Sequence, residues 1–199
     1  GMYISFTLLR AMNIMFGNTG EEVCLILAFY LCFANSFDHF VLFKSKPLSP
    51  QLQKLYHLIS NLAAYSIIIN LCVAYFYTGY FKLENHFWRT GLAMHYSWYN
   101  ERFNAFEYSK LLAEMPVVYY FFNYLILAFE LSFGFLIWFK PWRNWLLIFG
   151  LIMHSYIYCT MLIFGMTLTF LMQYPMFLED EEIERFLLKI KSFVVKLRL

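Results

Sequence analysis

Glu130 and His154 are ionisable residues that lie inside long apolar segments of the sequence. An ionisable side chain in hydrocarbon is costly unless it is paired or hydrated, so each is a candidate functional residue by default. Burial favours the neutral form of a carboxyl group, whereas a neighbouring carboxylate favours the charged form of an imidazole. The two residue types predict proton transfer in a cavity. The equally weighted alternative is a buried hydrogen bond that only fixes the register of two helices.

The spacing along the chain predicts that both residues lie at the same depth. Two apolar segments flank a turn at 140–143, with Glu130 ten residues before the turn and His154 eleven residues after it. At 1.5 Å per residue, each side chain lies roughly 15 Å from the turn. We therefore expect Glu130 and His154 to pair directly.

Small and polar residues share the helical faces of these two side chains. Gly134 lies four residues after Glu130, and Gly150 lies four residues before His154. Glycines let membrane helices approach closely, so this spacing predicts tight packing between the two segments. The same faces carry Tyr120, Asn123, Tyr158, Met161 and Gly165.

The elements that position these residues are predicted to be membrane helices, which need about 20 mainly apolar residues each. Four segments satisfy this condition: 22–43, 57–81, 116–139 and 144–163. Residues 2–16 are short for a span, and residues 164–178 are a continuation, a re-entrant piece or a fifth crossing. The expected fold class is all-α, a polytopic transmembrane helical bundle of four to six membrane helices with a C-terminal amphipathic helix.

The composition supports this class and excludes others. The chain is 61% apolar and 14% charged, against roughly 45–50% and about 25% in soluble domains. The formal charge of +2 and the absence of a basic run interleaved with aromatic residues argue against a nucleic-acid partner. The cysteines form no CxxC pair, and His86 and His95 lack a second ligand at suitable spacing, so we predict no metal site.

The distribution of lysine and arginine predicts the orientation in the membrane. The loops at 44–54 and 140–143 carry basic residues and no acid. If residues 82–115 stay on one side, both loops lie on the same face, which the positive-inside rule makes cytoplasmic. We therefore predict a multi-pass protein of the cell membrane with residues 82–115 on the outer side.

The C-terminal segment is predicted to be an amphipathic helix on the membrane surface or against the bundle. It has acids in its first turn, apolar residues at helical spacing, and basic residues toward its end. We divide the chain into a transmembrane domain, 1–178, and this helix, 179–199. A further polar cluster, Asn35, Asp38 and His39, is explained by solvation at the membrane interface.

One stretch resembles a known family. The residues Gly79, Lys82, Leu83, Trp88, Gly91 and Met94 follow the pattern G-x-x-K-L…W…G-x-x-M. This pattern resembles the membrane region of vitamin K-dependent γ-carboxylase and its relatives, the horizontally transferred transmembrane (HTTM) domain family. Glu130 also lies where the family has a glutamate, and the residues from His154 to Phe177 resemble its H…G-M…M…P-x-F segment. The resemblance covers roughly residues 70–178.

The resemblance implies roles for three residues. Lys82 matches the lysine that acts in the carboxylase as the base toward reduced vitamin K, with Glu130 and His154 as further catalytic residues. The cofactor implied is a quinone. A base must be a neutral amine, which desolvation of a lysine favours.

Taken on its residues alone, Lys82 is more simply explained as an interfacial lysine whose charged end reaches the headgroups. By the topology above, Lys82 lies near the outer boundary and Glu130 and His154 lie at mid-depth, so a common site requires a tilted helix or an inward-reaching cavity.

Two functions follow from these observations. The first is a non-carboxylating bacterial relative that assists maturation or export of a secreted peptide or lipid-linked factor, because about 22 residues follow Leu178 where the carboxylase has a large soluble domain. The second is a small membrane enzyme that uses a quinone or lipid, which predicts a cavity that opens toward Lys82. The expected partners are membrane lipid and a secreted peptide or protein, and no pattern decides between a monomer and a homodimer.

Overall fold

The computed structural model describes residues 19–34, 49–100, 108–161 and 164–197. All regular structure within these ranges is helical, so the predicted all-α class is confirmed there. Three features named above lie outside the described residues. They are the segment 2–16, the cluster of Asn35, Asp38 and His39, and residues 44–48 of the basic loop. The helices are α1 (Thr19–Leu31), α2 (Pro50–Glu84), α3 (His86–Arg89), α4 (Ala93–Tyr99), α5 (Tyr108–Ala113), α6 (Pro116–Leu136), α7 (Lys140–Met161), α8 (Phe164–Leu171), a 3₁₀ turn (Tyr174–Phe177) and α9 (Asp180–Leu197).

Among the described helices, α2 and α6 are the two that are long and apolar enough to cross a membrane. The most apolar 18-residue windows of α2 and α6 are only 28% and 33% buried within the protein. The core helix of a soluble protein would be mostly buried, so this exposure favours a lipid environment. Of the other predicted spans, α1 is 13 residues long, and α7 is long enough but interrupted by polar residues.

The antiparallel pair of α2 and α6 is the centre of the fold. Helix α2 begins where the Ser49 hydroxyl accepts a hydrogen bond from the backbone N–H of Leu52, and proline occupies its first position. Gly79 lies against Leu131, and Gly134 lies against the backbone carbonyl of Cys72, so the two helices run in opposite directions. The aromatic core between them and their neighbours includes Tyr75, Phe129 and Phe133.

Beyond the end of α2 at Glu84, the segment 82–115 is described at residues 85–100 and 108–115. The described parts fold into α3, α4 and α5, which pack against the N-terminal half of α6. Met94, Trp98 and Ala113 are buried in the common core. Their burial supplies the apolar contact that keeps these short helices in place, since isolated helices of this length are unstable in water.

Residues 164–178 turn back along α7. The Thr167 hydroxyl donates to the backbone carbonyl of His154 at 3.3 Å, and Tyr174 lies against Gly150, so α8 is antiparallel to α7. This path rules out a straight continuation of α7, and the re-entrant piece and the fifth crossing both stay predictions. The segment therefore returns to the end of the bundle that holds the 140–143 turn.

Helix α9 starts beside that turn and is attached by ion pairs. Lys140 Nζ lies 3.0 Å from a Glu179 carboxylate oxygen, and Arg143 Nη2 lies 2.6 Å from Glu182 Oε2. Helix α2 also begins at this end, because it is antiparallel to α6. The described end of the 44–54 loop, residues 49–54, and the 140–143 turn therefore share one end of the α2–α6 pair, and the side of the membrane on which they lie stays a prediction.

Acidification is expected to release the start of α9. The hydrogen bond from Lys140 lowers the pKa of the Glu179 carboxyl, and the backbone N–H of Glu179 does the same for the pKa of Glu182. Because both values are lowered, the contribution to stability is complete above the ordinary glutamate pKa of about 4.3 and is lost as the pH falls through the folded-state pKa. Amide exchange of residues 180–186, corrected for intrinsic rates, should therefore speed up below about pH 4. If amide exchange of these residues had the same pH dependence in a Glu179→Gln/Glu182→Gln variant as in the wild type, this explanation would be wrong.

Candidate functional site

One face of α2 supplies half of the candidate site. Tyr75, Thr78, Gly79 and Lys82 occupy positions i, i+3, i+4 and i+7 of the helix, so they share a helical face. This face packs on α6, where Lys82 Nζ donates to Glu130 Oε1 in an ion pair. The Lys82 side chain is 24% exposed and that of Glu130 is 8% exposed. Two of the predicted site residues are thus direct partners.

Gly79 makes this pairing possible. A Cβ atom at position 79 would lie 3.0 Å from the Leu131 side chain and 3.2 Å from Glu130 Cβ. Such distances are tighter than ordinary van der Waals contacts, so only glycine lets α2 and α6 approach this closely at the level of the carboxylate. Lys82 and Glu130 therefore lie at the same depth, although the sequence predicted different depths. The end of α2 does not coincide with the end of α6, because α6 continues past it to pack against α3–α5.

His154 belongs to a second polar network. Its Nε2 lies 2.6 Å from the Tyr75 hydroxyl, which lies 2.6 Å from the Tyr174 hydroxyl. All three side chains are buried. The predicted direct pair between Glu130 and His154 is therefore wrong: Lys82 takes the carboxylate, and Tyr75 takes the imidazole.

The Tyr75 hydroxyl can pass a proton between its two neighbours. It carries one hydrogen, so it donates to one neighbour and accepts from the other. When His154 Nε2 is unprotonated, Tyr75 donates to it and accepts from Tyr174. When Nε2 carries a proton, Nε2 donates to Tyr75, and Tyr75 donates to Tyr174. A switch between these arrangements moves a proton along the chain.

Gly134 and Gly150 were predicted to allow tight packing between α6 and α7, and only Gly150 lies at a contact between these two helices. Gly134 faces α2 rather than α7, since its nearest neighbours are atoms of Cys72. Gly150 lies against the ring of Phe129 and the phenol of Tyr174, so it makes room for the end of the hydrogen-bonded chain. Each glycine does permit a close contact, but Gly134 does so with another helix, because depth along a helix does not give the rotation about its axis.

Trp88 covers the outer side of the Lys82–Glu130 pair. Lys82 Nζ lies 4.8 Å from the centroid of the Trp88 ring, within the range of a cation–π interaction. The backbone at Trp88 is held by Asn123, whose Nδ2 donates to the Trp88 carbonyl at 2.9 Å. The turn after it requires Gly91, whose φ of 78° lies in the left-handed region.

Substitution of Gly91 by alanine is expected to destabilise the protein by about 1–2 kcal/mol, because an L-residue is strained at this φ. The added Cβ would also overlap the Tyr120 ring. Thermal unfolding in detergent should show a melting temperature about 5 °C lower. Gly165→Ala is the matched control, since no atom lies within 4 Å of a Cβ there. A similar loss in both variants would contradict a special role for the turn.

Both polar networks face one cavity of about 370 Å³. This volume lies within the range of small-molecule sites, roughly 300–1,000 Å³. The cavity reaches the surface near Phe81, whose side chain is 59% exposed. Its polar lining is Tyr75, Thr78, Lys82, Ser97, Glu130 and His154, and its apolar lining is Phe81, Trp88, Met94, Ile126, Met153, Ile157, Met166 and Phe170.

Two buried polar atoms of residues that line the cavity have no hydrogen-bond partner among the described residues. They are Glu130 Oε2 and His154 Nδ1. An unpaired buried polar atom costs about 1–3 kcal/mol. Both costs are relieved by a ligand or an ordered water that supplies a donor to the carboxylate and a complementary group to the imidazole.

The sequence prediction included residues outside the cavity and missed others that line it. Tyr120 and Tyr158 are substantially exposed and do not line the cavity. Tyr75, which lines the cavity, was missed, although it lies seven residues before Lys82 and therefore two turns away on the same face. Its hydrogen-bond partner Tyr174, which lies behind it, was missed as well. In the described part of the chain, no three His, Cys, Asp or Glu side chains are grouped as a metal site requires.

Comparisons of this chain with protein-family models, with curated proteins and with solved structures find no match. The chemistry of the cavity is therefore the basis on which a function is assigned.

Proposed function

We propose that this protein is a multi-pass membrane enzyme of four to six membrane helices, related to the HTTM family, that takes a proton from a quinol or a lipid with an ionisable head. The observation that carries the proposal is the cavity, in which an ion pair and a buried hydrogen-bonded chain face one largely apolar space. Soluble-domain cores rarely combine such a site with so much apolar surface on the outside.

Membrane insertion is supported by the outer surface near the 140–143 turn. Trp138, Trp142 and Trp145 are all exposed there, as expected for an aromatic belt at the membrane–water interface. Lys140 is also exposed and completes an interfacial arrangement of aromatic and basic residues. With this end at the cytoplasmic face, the loops 44–54 and 140–143 obey the positive-inside rule.

The cavity residues fit a quinone in its reduced form. The flat apolar walls from Phe81, Trp88 and Phe170 suit an aromatic ring, and the exposed rim at Phe81 leaves a path for an isoprenoid tail into lipid. Lys82 and Glu130 would hold one hydroxyl, and His154 would hold a second oxygen. When bound, a hydroquinone supplies an acidic hydroxyl and a pair of electrons.

Lys82 is the proposed base, and Glu130 is proposed to accept a proton from it so that the amine becomes neutral. The ion pair shares one proton, and when this proton resides on Glu130 the Lys82 amine is neutral with a free lone pair. The amine then accepts the proton of the ligand hydroxyl, and the resulting ammonium stays beside the ligand oxygen. The His154–Tyr75–Tyr174 chain relays protons on the opposite wall.

The other expected role, maturation or export of a secreted peptide or lipid-linked factor, stays a prediction. It concerns a process in the cell, and the chemistry proposed for the cavity is compatible with such a process. A secreted peptide or protein that co-purifies with the chain would support this role.

Native mass spectrometry of the gently purified protein tests the proposal, with solvent extraction to identify bound quinones and lipids. We expect a bound quinone or lipid in the wild type that is lost in Lys82→Ala and in Glu130→Gln. Lys54→Ala is the matched control, because Lys54 is an exposed lysine on the same helix. An empty wild type that also fails to bind an added short-chain 1,4-naphthoquinol, or equal retention in all variants, would overturn the proposal.

A further inference from the structure

The described ion pairs that attach helix α9 to the bundle lie near its start. Glu179 and Glu182 hold its first turn against Lys140 and Arg143. Beyond this turn, α9 has no extended packing against another described helix. Of its described apolar side chains, Phe186, Leu187 and Leu188 are more than half exposed, and Ile183 is partly buried. The helix therefore presents apolar surface that the described bundle does not cover.

The attachment point lies at the level of an interfacial belt. Trp142 and Trp145 follow Lys140 on α7 and are 56% and 71% exposed. Exposed tryptophans of a membrane protein lie at the depth of the lipid headgroups. A helix that starts beside Lys140 and Arg143 thus begins in the headgroup region.

The sequence of α9 is arranged for a charged surface. Ile183, Phe186 and Leu187 form an apolar face at helical spacing, which continues in the sequence to Leu197. At 100° per residue, Lys189 and Lys191 lie on opposite flanks of this face, each about 100° from its centre. Such lysines can keep their charges among headgroups while the apolar face enters the acyl region.

We propose that α9 lies in the membrane surface at the 140–143 end and binds the anionic headgroups of that leaflet. This inference rests on the proposed membrane location, but not on the proposed chemistry of the cavity. Glu179 and Glu182 are paired with Lys140 and Arg143, and Lys189 and Lys191 in the second half of the helix are left to face lipid. Complementary charge selects anionic over zwitterionic lipid.

Hydrogen–deuterium exchange of the full chain in nanodiscs tests this. One set contains phosphatidylcholine alone, and the other contains an added 30% of phosphatidylglycerol, about the anionic content at which basic helices bind. We expect amides of residues 184–197 to exchange about tenfold more slowly in the anionic discs, and 0.5 M salt to remove most of the difference.

Lys189→Gln/Lys191→Gln should abolish the dependence on phosphatidylglycerol. Arg185→Gln is the control, because Arg185 lies nearer the pole opposite the apolar face and its Nε donates to the Glu181 carbonyl; it should keep most of the dependence. Equal exchange in both lipids would overturn the proposal, as would protection that requires a second copy of the chain. Failure of the chain to enter nanodiscs would instead contradict the membrane location itself.

Discussion

Replacement of Lys82 by methionine is expected to destabilise the protein by about 3 kcal/mol, because it leaves the Glu130 carboxylate buried without its partner. Glu130 is 6% exposed, and its second oxygen already lacks a partner. The estimate lies at the lower end for buried pairs because a quarter of the Lys82 side chain remains exposed. Thermal unfolding in one detergent, at fixed pH and salt, measures the effect.

The double variant Lys82→Met/Glu130→Met separates this ion pair from simple loss of packing. Because neither charge remains, most of the stability should return, as is typical when a buried ion pair is replaced by apolar residues of similar volume. Naphthoquinol binding should be lost in the single and the double variant alike, since Lys82 is the proposed base. Recovery of stability without recovery of binding would therefore identify the pair as functional.

The exposed pair of Lys140 and Glu179 provides the matched control. Its side chains are 69% and 45% exposed, so solvent screens their interaction. Lys140→Met should have little effect on the melting temperature. If Lys140→Met and Lys82→Met were equally harmful, or if the double variant were less stable than Lys82→Met, the buried ion pair would not have the role assigned to it.

The sequence was sufficient for the helical class and for three residues of the cavity. Glu130 and His154 stand out because ionisable side chains are rare within apolar helices, whereas Lys82 was found through the resemblance to the HTTM family. All three line the same cavity. Depth along a helix follows directly from residue counting, since each residue adds a fixed rise. This is why residues far apart in the chain could be assigned to one site.

The partners of these residues could not be predicted in the same way. Adjacent segments in the chain were expected to pack most closely, but α6 packs mainly on α2, and Gly79 and Gly134 are the small residues at that contact. Rotation about the helix axis decides which side chains meet, and nearly equal apolarity around these helices leaves rotation undetermined by the pattern. Tyr75 was missed for a related reason: aromatic residues make up 23% of the chain, so one functional tyrosine does not stand out.

Tyr75→Phe is expected to be the most informative change on the other wall of the cavity. Removal of one oxygen breaks two hydrogen bonds and leaves His154 Nε2 and the Tyr174 hydroxyl buried without partners. Each lost partner costs about 1–3 kcal/mol, so the total loss for the two should be about 2–6 kcal/mol. The phenyl ring keeps its contacts with Phe129 and Phe133, so the loss is assigned to the hydroxyl.

Tyr174→Phe and Tyr65→Phe complete the comparison. Tyr174→Phe breaks only the outer hydrogen bond and should cost about half as much, whereas Tyr65 is exposed on the same helix and its hydroxyl should be dispensable. Nitrogen-15 NMR of labelled histidine should show a shifted Nε2 resonance of His154 in Tyr75→Phe and an unchanged one in Tyr65→Phe. If Tyr75→Phe leaves both stability and this resonance as they are in Tyr65→Phe, the three side chains do not form a proton-conducting chain. A shifted resonance with naphthoquinol binding retained would instead limit His154 and Tyr75 to proton transfer and leave recognition to Lys82 and Glu130.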